Sequence, residues 1–147
     1  MTTTLAELSH RTGLAVLDHL ERQVAIPVID GLQAQGDLLV VPLALVIDAI
    51  TLPWNARWKA VPAEGIELLR GAAGGNPHTL VADPGTCRWT TDVWDTLDLA
   101  LGTLEATAPV YLLHPEHGAT GLTPGEYVIR RQREHNPHTA TRRLIAD

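Results

Sequence analysis

The chain has 147 residues and a formal charge of −6, with 45% hydrophobic residues, four Trp, two Tyr, one Met, one Cys and no Phe. This length suits one domain with a mostly aliphatic core, and the apolar fraction excludes wholesale disorder. The lone Cys87 excludes an internal disulfide and fits a reducing, cytoplasmic setting, the N-terminus lacks a signal-peptide pattern, and the longest apolar stretch, Leu38 to Ile47, is too short to span a bilayer.

The first part of the chain reads as helix. Thr4 and Glu7 have capping-box spacing. Leu14, Leu17, Leu20 and Val24 form an apolar stripe at helical spacing. Gly13 is placed to split the region in two, and Pro27 to end it. Gly36-Asp37 is a turn signal before Leu38-Leu39-Val40-Val41, a β-prone run suited to a buried strand. Leu43 to Ile50 fits strand and helix equally. Pro53 to Trp58 reads as a loop holding Trp54 and Trp58.

From Pro62 onward the pattern becomes regular. Ile66–Leu69, His78–Ala82, Cys87–Thr90, Leu97–Leu101, Val110–Leu113 and Tyr127–Arg133 read as short strands. Gly and Pro turns separate them, with a glycine-rich connection at 71–77. Such spacing predicts a mainly β fold: a small barrel or sandwich, the cupin-like barrel included. The expected organisation is an N-terminal helical extension over 1–35 and a β domain over 36–147.

Charge is unevenly spread. Residues 128–147 hold five arginines against one glutamate and one aspartate, a local +3, which leaves −9 on the rest. An acidic body with a basic end suits docking to itself or to an acidic protein partner. It suits nucleic acid poorly, because the body repels phosphate. An oligonucleotide-binding barrel using Arg130, Arg131 and Arg133 would have only Tyr127 as a stacking platform. Strand alternation places Tyr127, Ile129, Arg131 and Arg133 on one face, and Val128, Arg130, Gln132 and Glu134 on the other. This strand reads either as one leaving the core for solvent or as a docking edge.

The densest chemistry is at His114-Pro115-Glu116-His117. Imidazole and carboxylate bind borderline metals and move protons near neutral pH. If the strands of His78 and His114 are neighbours, then His78, His114, Glu116 and His117 form a candidate site for a divalent transition metal. The plainer alternative is a set of surface turn residues. Ser9 is the only serine and has no nucleophile elbow around it. Cys87 beside Arg88 and Trp89 reads as a buried strand cysteine rather than an activated thiol.

From Gly36 to Asp147 the chain resembles a group of small, largely uncharacterised proteins of bacteria and bacteriophages. The segments that carry the resemblance are Gln35-Gly36-Asp37 with its apolar strand, Gly75-Asn76-Pro77-His78, His114-Pro115-Glu116-His117, and Pro124-Gly125-Glu126-Tyr127 running into Arg131-Gln132-Arg133-Glu134. The resemblance makes the two His segments parts of one design, and Asn76 stands where the pattern has a histidine. The leading expectation is a non-enzymatic β module, a subunit or adaptor in a protein assembly or a homo-oligomer, of phage or mobile-element type. Trp54, Trp58, Arg130, Arg131 and Arg133 are its candidate contacts, and it needs no cofactor. The alternative is a cupin-like metalloprotein.

Overall fold

A computed structural model of the chain describes residues 3–13, 26–69, 77–136 and 141–144, with backbone alone at 69, 133–136 and 141–144. The expected helical stripe of residues 14–24 and most of the glycine-rich connection lie outside the described residues. In chain order come α1 (Leu5–Thr12), β1 (Val28–Ile29), β2 (Gln33–Gln35), β3 (Leu38–Pro42), a 3-10 turn at Leu43–Leu45, β4 (Ile50–Thr51), β5 (Lys59–Ala60), β6 (Ile66–Leu69) and β7 (His78–Ala82). Then follow β8 (Cys87–Thr90), β9 (Trp94–Asp95), β10 (Ala100–Ala106), β11 (Val110–His114), β12 (Gly118–Leu122), β13 (Gly125–Arg131), β14 (Arg133–Asn136) and β15 (Thr141–Leu144).

The strands form a five-stranded sheet, β1-β12-β11-β7-β6, a six-stranded sheet, β2-β3-β13-β10-β8-β5, and two two-stranded ribbons, β14-β15 and β4-β9. The fold is therefore mainly β and sandwich-like, and it does not close into a barrel. Side chains from both large sheets meet in one core. Leu80, Ala82, Val110 and Leu112 come from one sheet, and Leu38, Val40, Trp89, Leu104 and Ile129 from the other. With no Phe available, Trp89 supplies the bulk that fills this layer. Gly102 on β10 makes room for it, since a Cβ there would lie 2.3 Å from the Trp89 ring.

β7 and β11 are buried along their whole length, which is why they read as unbroken apolar runs rather than alternating ones. Their outward residues Val81, Tyr111 and Leu113 are covered by Leu5 and Leu8 of α1 and by Ile26. The helix starts as its sequence requires. The Thr4 hydroxyl accepts the Glu7 N–H at 3.2 Å, and Gly13 ends the helix in a left-handed conformation. Arg11 then fixes it to the sheet, donating to the Ala82 carbonyl at 2.8 Å.

Residues before 36 thus do more than extend the β domain. β1 pairs in parallel with β12, and β2 pairs antiparallel with β3. Of the strand expected over Leu97–Leu101, only Ala100 and Leu101 join β10, and the residues before them form a turn. Asp98 has φ 56°, and Asp95 accepts the N–H groups of Leu97 and Leu99. An Asx turn of this kind competes with the ladder that the alternation suggests. β13 is not an edge, because β3 and β10 hydrogen-bond it on both sides. It therefore has no free ladder to offer a partner. Among the described residues no helix is long and apolar enough to cross a membrane.

Candidate functional site

Strands β7 and β11 are antiparallel neighbours, with Leu113 opposite Thr79. This register brings His78, at the start of one, against His114, at the end of the other. Their ring centroids are 4.5 Å apart. The His117 ring lies 4.4 Å from His114 and stacks on His78 at 6.3 Å. The expected gathering of three imidazoles is present, and its burial is graded. His78 and His114 are buried, whereas Glu116 and His117 are exposed.

The ring nitrogens show what the cluster can do. His78 Nδ1 is 2.9 Å from Gln35 Oε1, and Nε2 is 3.0 Å from Asp37 Oδ1. The Gln35 amide is oriented by its own donation to the Leu112 carbonyl at 2.8 Å, so its oxygen must face the ring. Both nitrogens of His78 therefore meet oxygen. With the Gln35 oxygen on Nδ1 and the Asp37 carboxyl on Nε2, His78 is gripped through both ring nitrogens, and both side chains are almost wholly buried.

His114 is held in the opposite way. Its Nδ1 accepts the backbone N–H groups of Glu116 at 3.0 Å and His117 at 3.2 Å. A protonated Nδ1 cannot accept, so this ring is neutral and carries its proton on Nε2. Pro115 bends the chain so that these two amides turn back onto the ring.

A metal requires a free nitrogen lone pair on each imidazole. His78 and His114 offer none without losing the bonds just described. Among the described residues no group of three or more His, Cys, Asp and Glu side chains is arranged to hold a metal ion.

Sequence reading missed Gln35 and Asp37 as partners of His78. The signal was present in the Gln-Gly-Asp block. Gly36 takes φ 57° in a two-residue hairpin that pairs Gln35 with Leu38. A hairpin this tight needs glycine at that position, and it projects the flanking Gln35 and Asp37 toward the other sheet. Gln132 grips the same turn, donating its backbone N–H to Asp37 O and its side-chain amide to Gly36 O, each at 2.9 Å. Segments about 100 residues apart in the chain therefore converge on one polar clasp between the sheets.

The candidate contact residues divide. Trp54 is 96% exposed, and so is 75% of Trp94, which the sequence reading passed over. Trp58 is half-buried, with the Arg88 guanidinium 4.1 Å above its ring. Arg88 also pairs with Glu105, and the three residues line an open cleft of about 620 Å³. Arg130 does not face outward. It is buried and makes a two-pronged ion pair with Asp95 at 2.9 and 3.0 Å. Arg131 is partly buried, and the side chain of Arg133 lies outside the described residues.

The two exposed tryptophans sit on and beside the β4-β9 ribbon. Ile50 and Asp95 point inward, and Thr51 and Trp94 pair on the outer face. Ile50 is anchored in a small core with Leu43 and Val128. Two ion pairs brace the ribbon: Arg130–Asp95 beneath it, and Arg57–Asp92 tying the Trp54 loop to the strand of Trp94. Hydrogen bonds from the Arg57 side chain and backbone hold the Asp92 carboxyl down at about 2. Because that value lies below the ordinary one, the bracing is complete above pH ~4 and is lost as the pH falls toward 2. Carboxyl NMR should show Asp92 titrating near 2; a midpoint near the ordinary value would mean that the loop is not held. Cys87 belongs to neither site. Burial pushes its thiol up to about 11, far from the range of a nucleophile.

The architecture defines a class: a two-sheet β module, clasped inside by a buried histidine–aspartate pair, with a braced tryptophan ribbon on its surface. The chain belongs to the family described as Domain of unknown function (DUF8820), whose model matches residues 34–132. That span contains the clasp and both tryptophans. No curated protein and no solved structure matches the chain.

Proposed function

We propose that this protein is a non-enzymatic β module acting as a subunit or adaptor in a protein assembly, and that it docks through the β4-β9 ribbon. The carrying observation is the exposure of Trp54 and Trp94 on a ribbon fixed by two arginine–aspartate pairs. Tryptophan is costly to leave in water, and it is the residue that most often dominates a protein–protein contact. A rigid mount adds affinity, because little side-chain and loop freedom is lost on binding. The resemblance to bacterial and bacteriophage proteins fits a phage- or mobile-element-borne assembly.

The metal-binding alternative, on His78, His114, Glu116 and His117, draws support from the closeness of the three rings. Against it stands the engagement of both ring nitrogens of His78 and of Nδ1 of His114.

The test is the native size of the protein in the cells that encode it. The wild type should run well above monomer mass. Trp54→Ser with Trp94→Ser should bring it to monomer mass at an unchanged melting temperature, since neither side chain is in the core. A wild type already at monomer mass would refute the proposal.

A further inference from the structure

The docking ribbon has a chemical signature that narrows its partner. At one end of β4-β9 the turns 47–49 and 96–98 abut, joined by the Thr96 N–H to the Ala49 carbonyl at 3.0 Å. Ile47 and Leu97 are exposed there, and so are Asp48 and Asp98. The neighbouring acids are already neutralised, Asp92 by Arg57 and Asp95 by Arg130. Among the described residues Asp48 and Asp98 have no cationic partner. Among the described residues the surface is therefore apolar with unbalanced negative charge, and its complement is a segment that is both apolar and basic.

The chain carries such a segment at its other end. Thr141-Arg142-Arg143-Leu144-Ile145 joins two arginines to two aliphatic residues. Residues Thr141–Leu144 form β15, which among the described residues pairs only with β14, in a ribbon separate from both large sheets. A lone two-stranded ribbon is marginal in water and gains by packing against another surface.

We propose that the β4-β9 surface of one copy receives the basic, apolar C-terminal strand β15 of a second copy. The proposal rests on the assembly reading and names its partner. Attraction between Arg142, Arg143 and the acidic turns sets the register, and Leu144 adds apolar contact beside Trp94 and Leu97. Because donor and acceptor surfaces differ, the contact is heterologous: two copies close by reciprocal exchange, or more copies link into rings or chains.

The experiment is light scattering on the purified full chain across the micromolar range. Wild-type mass should rise with concentration, and less so at high salt, which screens exposed charges. Asp48→Arg with Leu97→Arg blocks the receiving surface. Arg142→Gln with Arg143→Gln weakens the strand that inserts. Each pair of changes should raise the concentration needed for association by at least about tenfold at an unchanged melting temperature. Mixing the two variants should restore a one-to-one complex, since one keeps an intact surface and the other an intact strand. A wild type monomeric throughout, an association that neither variant weakens, or a mixture that stays monomeric would each overturn the proposal. A purified wild type that is monomeric, beside a Trp54- and Trp94-dependent complex in cells, would reject self-association and leave the assembly reading standing.

Discussion

Replacing His78 with alanine should lower the unfolding free energy by about 3–5 kcal/mol, because removing one partner of a buried ion pair strands the other charge. Asp37 is 2% exposed, so water cannot resolvate its carboxylate in the intact fold. The loss is a large share of the roughly 5–15 kcal/mol by which a domain is stable. It should appear in urea unfolding as a lower midpoint at unchanged slope. Adding Asp37→Ala should recover part of the loss, because the double variant no longer buries a lone charge. A single-variant cost below about 1 kcal/mol would fit an ordinary neutral hydrogen bond and not a charged clasp.

The second large effect is expected at Asp95. Its two oxygens serve Arg130 at 2.9 and 3.0 Å and the N–H groups of Leu97 and Leu99 at 3.0 and 3.2 Å. Asp95→Ala leaves a buried guanidinium uncompensated, and should also cost about 3–5 kcal/mol. It should loosen the 96–98 turn, so amide exchange of Leu97 and Leu99 should quicken well beyond the global effect. Uniform acceleration across the chain would show that Asp95 supports the core but does not organise the ribbon.

The pattern of sequence legibility follows from the physics of each element. Short turn-punctuated strands made the β class readable, and the Thr4–Glu7 spacing marked the start of α1. The pairing of the His78 and His114 strands was also accessible, because one apolar run opens on an imidazole and the other closes on one. The partners of His78 were not. Gln35 and Asp37 reach it from the opposite sheet, and the Gln-Gly-Asp block marks their hairpin but not the contact that tertiary packing creates. The arginines of β13 misled for a related reason. A basic strand end suggests solvent or a partner, yet Arg130 turns inward because Asp95 waits there on a different ribbon. Trp94 was passed over because Trp-Asp beside a turn looks like any strand end. Only its burial state separates it from Trp89, the core tryptophan five residues earlier.

If the histidine cluster is a structural clasp, its ring nitrogens are committed to the fold and not to a metal. Nitrogen-15 NMR of the imidazoles near neutral pH tests this most directly. His78 should show protons on both ring nitrogens and His114 a proton on Nε2 alone, and both patterns should be unchanged when zinc is added. A bare nitrogen on His78, or a ring proton displaced by zinc, would contradict the account.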